Sequence, residues 1–202
     1  MNWNPIHRKD IFISAAIGLF IFFYIHLTSD MVGFVRDEGF YMRAASITAD
    51  WFGSMEKSFA EGKFLEPFSR ASIDKYFKFN NEHPTLMKNL FGLSQYVFER
   101  KLGWMSFAQS ARFVGAFFAM LTAVLIYFFG LMFFSRFTAV VSPVLFFMMP
   151  HIFFHSHLAC FDIPILFFWS AVFFMYAVHL KNGSFSSGVL TAVLLGFALG
   201  TK

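Results

Sequence analysis

The chain has 202 residues, of which 57% are hydrophobic and 14% charged, with 34 Phe and a formal net charge of +4; its mean hydropathy is +0.59. Soluble domains carry about 25% charged residues, so an ordinary soluble enzyme is excluded and a membrane protein is predicted. The 16 basic residues are interleaved with 12 acids and form no continuous basic face, which excludes a nucleic-acid binder, and the single cysteine, Cys160, excludes a disulfide scaffold.

In chain order, a polar leader with His7, Arg8 and Lys9 precedes an apolar run over residues 11–27. No small-residue cleavage site follows it closely, so it reads as a retained first span, 11–29, rather than a signal peptide. Positive residues ahead of it place the N-terminus on the cytoplasmic side. Residues 36–112 then hold 11 of the 16 Lys/Arg and 9 of the 12 Asp/Glu, and 36–106 is read as a large extracytoplasmic loop. Within it, Phe40, Tyr41, Ala44, Ala45, Ile47, Trp51, Phe52, Met55 and Phe59 fall at helical spacing, as do Leu86, Leu90, Leu93 and Val97. Two amphipathic helices are predicted, either lying at the membrane surface or packing on each other as a cap. Four more apolar segments, 107–134, 137–154, 163–180 and 186–200, complete an all-α membrane protein of about five transmembrane helices. The short links between them at Ser135-Arg136 and 181–185 carry only positive charge and fit the cytoplasmic side. Alternation then collects Asp37, Glu82, Arg112, Asp162 and Lys202 at the outer face.

Two stretches carry candidate chemistry. Asp37-Glu38 puts a carboxylate pair at the exit of the first span, either as a reaction centre or as acids favoured at a helix start. Glu82-His83-Pro84 lies ahead of a helix whose first amides suit an anion; Glu82 and His83 suit a divalent metal or a phosphate, or reflect helix-start chemistry alone. His155-x-His157 invites a metal reading, but His151, His155 and His157 read as interfacial histidines at a span end, because no full ligand set accompanies them. The Phe pairs of the spans face lipid or neighbouring helices.

Five motifs together carry a family resemblance: Asp37-Glu38-x-x-Tyr41, Glu82-His83-Pro84-x-Leu86, Ala111-Arg112, His155-x-His157-x-x-x-x-Asp162-x-Pro164, and Gly196-x-Ala198-x-Gly200-Thr201-Lys202. In this order at these span positions, the chain resembles the N-terminal part of the polytopic C-type glycosyltransferases. That group includes protein O-mannosyltransferases and lipid A aminoarabinose transferases. The resemblance implies a sugar donor linked to polyprenyl phosphate, undecaprenyl or dolichyl, and a protein, lipid or glycan acceptor on the outer face, with inversion at the sugar. Asp37 is implied as general base with Glu38 supporting it. Glu82 and His83 match the motif that holds the lipid phosphate or its metal, Asp162 matches the acid of the second outer loop, and Arg112 and Lys202 are implied to neutralise phosphate. His83-Pro84-Thr85 departs from the His-Pro-Pro common in the mannosyltransferases, and Glu82-His83 from the Glu-Lys of the aminoarabinose enzymes, leaving sugar and acceptor open. The bacterial inner membrane, or the endoplasmic reticulum in a eukaryote, is the expected site. Family members have about twice as many spans, so a C-terminal remainder is expected beyond Lys202, and the 202-residue fragment alone is expected to be inactive. Rival readings are a secondary transporter fragment, which predicts ionisable groups at mid-membrane, and a non-catalytic accessory protein.

Overall fold

The structure, a computed structural model, describes residues 4–202. Among the described residues the chain forms nine α-helices and no strand. Three helices are long and apolar enough to cross a membrane: α1 (Arg8–Thr28), α5 (Phe107–Phe133) and α8 (Asp162–Asn182). Twenty-one residues rise about 30 Å, the thickness of a hydrocarbon core. Helix α5 is set off sharply by a capping box. The Ser106 hydroxyl accepts from the Gln109 N–H at 3.2 Å, and the Gln109 side chain accepts from the Ser106 N–H at 3.0 Å.

The expected span 137–154 is not one straight helix. It divides into α6 (Arg136–Met148) and α7 (Pro150–Ser156), which bend by 77° at the break. Pro150 lacks the N–H that would continue α6, and its ring drives Met149 out of helical conformation to φ −64°, ψ 124°. The last apolar segment forms α9 (Phe185–Leu199), whose 15 residues fall short of the roughly 20 that a crossing takes. Among the described residues the helices of membrane length therefore number three, or four with the bent pair as one span, against the five expected.

The charged loop folds into α2 (Arg36–Ala60), α3 (Arg70–Phe77) and α4 (Thr85–Ser94), with α4 running on into a π-helical segment, Gln95–Lys101. Helices α2 and α4 pack on each other at Gly92, where a Cβ would stand 2.7 Å from Thr48 Cβ. Their inner residues Met42, Ala45, Met87 and Phe91 join one core with Ala111 and Val114 of α5 and with Phe161 and Ile163. The loop helices are thus fused to one end of the bundle. There the link between α7 and α8 is laid directly on α5: a Cβ on Gly115 would stand 2.8 Å from the Leu158 carbonyl oxygen.

At the other end of α5, Asp10 is fully buried. Its carboxylate accepts from Tyr127 Oη at 3.0 Å, Arg136 Nε at 3.0 Å and the His7 N–H at 2.8 Å. A buried carboxylate is tolerated only with such partners, and here they tie α1, α5 and the start of α6 together.

Candidate active site

The acidic pair opens α2, where Val35 is extended and Asp37 and Glu38 fall in the first turn. Successive residues on a helix point about 100° apart, so the two carboxylates part company. Glu38 turns inward and is 1% exposed, whereas Asp37 is exposed. Behind the pair, Arg112 is 2% exposed. Its Nε and Nη2 donate to the two Glu38 oxygens at 2.7 and 2.8 Å, the bidentate geometry that a guanidinium fork favours. Nη1 donates to the carbonyls of Ser29 at 2.5 Å and Val32 at 2.9 Å, and Nη2 also to Gly33 at 3.3 Å. Glu38 Oε1 further accepts the backbone N–H of Ala159 at 2.8 Å. One buried ion pair therefore fastens the α1–α2 link, the start of α2, α5 and the α7–α8 link.

This geometry gives both residues structural partners. All five N–H groups of Arg112 have partners within the protein. Glu38 is enclosed and hydrogen-bonded, and it anchors the helix that carries Asp37.

Asp37 opens instead onto a pocket of about 220 Å³ lined by Phe40, Tyr41, Asn80, Glu82 and His83. Asn80 supplies the turn that delivers Glu82 and His83: it holds φ +57°, a left-handed conformation that Asn tolerates better than most residues. Its side-chain amide donates to Glu82 Oε1 at 3.0 Å, and its carbonyl accepts from Lys88 Nζ at 2.7 Å. Burial pulls the Lys88 ammonium below its ordinary pKa, an effect that Glu82 partly opposes. Tyr41 forms the floor. Its ring stacks on Phe161 at 4.2 Å and meets His83 edge-on at 5.7 Å. Burial first, and then Asp37, Asp162, Cys160 and Glu82 around it, push the phenol above its usual pKa, so Tyr41 stays protonated in an acidic setting.

On the far side of Phe161, Asp162 begins α8. Its Oδ2 meets His155 Nδ1 at 3.1 Å and its Oδ1 faces Lys202 Nζ at 3.9 Å. Cys160 Sγ lies 3.9 Å from His155 Nδ1, and burial pushes its thiol up to about 12. The structure thus brings together Asp37, Glu82 and His83, sets Asp162 with Lys202 beside them, and pairs Glu38 with Arg112. Glu82 and His83 line one pocket with Asp37. Among the described residues, the one set of three or more ligand side chains in mutual reach is His155, Cys160 and Asp162. The sequence assigns Tyr41 no role and reads His155 as an interfacial histidine. Only the spacing of His155 from Asp162 hinted at their pairing. His157 turns away, with Nε2 2.9 Å from Thr28 Oγ1 and Nδ1 2.7 Å from the Phe153 carbonyl.

The family model described as dolichyl-phosphate-mannose-protein mannosyltransferase matches residues 73–202. The match includes Glu82, His83, Arg112, Asp162 and Lys202 and leaves Asp37 and Glu38 outside. No curated protein and no solved structure matches the chain.

Proposed function

The chain belongs to the dolichyl-phosphate-mannose-protein mannosyltransferase family, and from that premise we propose that it transfers mannose from a polyprenyl-phosphate carrier, dolichyl in type, to a hydroxyl of a protein acceptor at the outer face of its membrane. Membership favours the protein mannosyltransferase branch of the resemblance over the lipid A branch, and a transferase over a transporter or an accessory scaffold. The observation that carries the assignment of roles is the divergence of two adjacent carboxylates. Glu38 is tied to Arg112, while Asp37 is exposed in a pocket with Glu82 and His83.

In this reading Asp37 takes the proton from the acceptor hydroxyl as its oxygen attacks the anomeric carbon. The bond from that carbon to the phosphate oxygen breaks, its electron pair leaves with the lipid phosphate, and the sugar inverts. Charge then grows on the departing phosphate, where a cation is most useful. Lys202 supplies it, held in place by Asp162, and His83 faces the same pocket as Asp37. Glu82 orients the acceptor or the sugar through its exposed carboxylate. No step is assigned to a metal at Glu82 and His83.

Asp37→Asn preserves size and much of the hydrogen bonding but removes the proton acceptor. Transfer per molecule of inserted enzyme, measured in membranes containing the intact gene product, is expected to fall by about 10²–10⁴-fold with abundance unchanged. Retention of more than about half the parental rate removes Asp37 from the mechanism.

A further inference from the structure

We infer that His155, Cys160 and Asp162 form a mononuclear site for a thiophilic divalent cation of the zinc class, seated at the α7–α8 link behind Phe161. The inference stands on ligand geometry rather than on the transfer reading. The three residues come from three local elements. His155 lies in the last turn of α7, Cys160 in the tight link, and Asp162 at the first position of α8. The link is held down twice, by the Ala159 N–H on Glu38 at 2.8 Å and by Leu158 against Gly115. The ligands are therefore positioned by buried contacts that they do not themselves make.

The donor atoms are close to the spacing a metal needs. His155 Nδ1 is 3.1 Å from Asp162 Oδ2 and 3.9 Å from Cys160 Sγ, and the ligand atoms of all three lie within 4.8 Å of one another. Around a tetrahedral ion bound at 2.0–2.3 Å, neighbouring donors stand about 3.3–3.6 Å apart, so the two His155 spacings need to shift by only a few tenths of an ångström. One imidazole, one thiolate and one carboxylate suit zinc; magnesium and calcium want oxygen throughout. Cys160 is buried at the base, while the His155 and Asp162 side chains are 26% and 46% exposed, giving the ion a way in. Three protein ligands leave a fourth position to water, or to His151, whose ring centroid lies 4.4 Å from that of His155. Lys202 does not obstruct the site, because it faces the other oxygen of Asp162. Binding releases the Cys160 proton to solvent and leaves the thiolate as a ligand.

Because the chain has one cysteine, a thiolate-to-metal signal has one possible source. Cobalt(II) titrated into the purified, detergent-solubilised chain is expected to bind one ion per chain with a thiolate-to-cobalt charge-transfer band, and zinc is expected to displace it at one equivalent. Cys160→Ser should abolish the band, and His155→Ala should weaken zinc binding by more than the roughly 10–100-fold cost of losing a supporting partner. Glu82→Gln should leave both unchanged. X-ray absorption of the zinc-loaded parent, which needs no variant, should show one sulfur near 2.3 Å beside nitrogen and oxygen near 2.0–2.1 Å. A shell of nitrogen and oxygen alone, a band that survives Cys160→Ser, or binding lost in Glu82→Gln overturns the inference. None of these readings involves sugar transfer, so a negative result leaves the proposed function standing.

Discussion

Helix α5 carries a charged anchor at each end, and the two are built differently. Near its start, Glu38 and Arg112 are both enclosed, and Arg112 reaches three carbonyls besides its carboxylate. Near its finish, Asp10 is equally buried but its partner Arg136 is 42% exposed, and the remaining partners are a tyrosine hydroxyl and one amide. The first arrangement unites four segments around a pocket, whereas the second fastens helix ends. A fully enclosed ion pair stabilises little relative to an apolar pair, yet removing one partner leaves a buried charge alone. The site end should therefore be brittle and the other end forgiving.

The largest effect expected is from Arg112→Ala, which strands Glu38 and should cost about 3–5 kcal/mol, read as a large drop in Tm in detergent. Asp10→Asn leaves Arg136 to water and should lower Tm less; equal losses would erase the contrast between the ends. Gly115→Ala comes next. Its new methyl meets the rigid Leu158 carbonyl, so about 1–3 kcal/mol of strain is expected, along with a loss of transfer as Asp162 is displaced. A transfer rate that stays parental would show that the link tolerates movement. A smaller, pH-dependent effect is expected at Lys88. Burial lowers its folded-state pKa from 10.5, so between that lowered value and 10.5 the unfolded chain holds more protons and stability should rise with pH. Lys88→Met should flatten that rise, and an unchanged slope would show that Lys88 is not its source. The smallest effect is expected at the exposed pair Arg70–Asp74, 95% and 69% accessible: Arg70→Ala should leave Tm unchanged within error, as most exposed pairs do.

The same contrast explains what the sequence could disclose. Long apolar runs announced α1, α5 and α8, and alternating polarity announced α2 and α4, because burial of a stripe or a whole surface leaves a period in the chain. Asp37, Glu82 and His83 were named by motif and share a pocket. The bend at Met149-Pro150 escaped because averaging hydropathy along residues 137–154 ignores one missing N–H. The separation of Asp37 from Glu38 escaped because it depends on how far α2 is rotated, which is set by its packing on α4 and α5. A sequence displays the charge of Arg112 but not the carbonyls of Ser29, Val32 and Gly33 that converge on it. His155 and His157 differ by two positions, enough on a helix to send them to opposite sides.

The Ala159 amide has an unusual station: it lies outside any helix, yet its hydrogen points to a buried carboxylate. Link amides ordinarily swap hydrogen for deuterium quickly, since water reaches them without any opening of the structure. This one should exchange on the timescale of the helix interiors and accelerate sharply in Glu38→Gln. A single backbone hydrogen thereby becomes a clock for how often the end of the bundle that bears Asp37 comes apart.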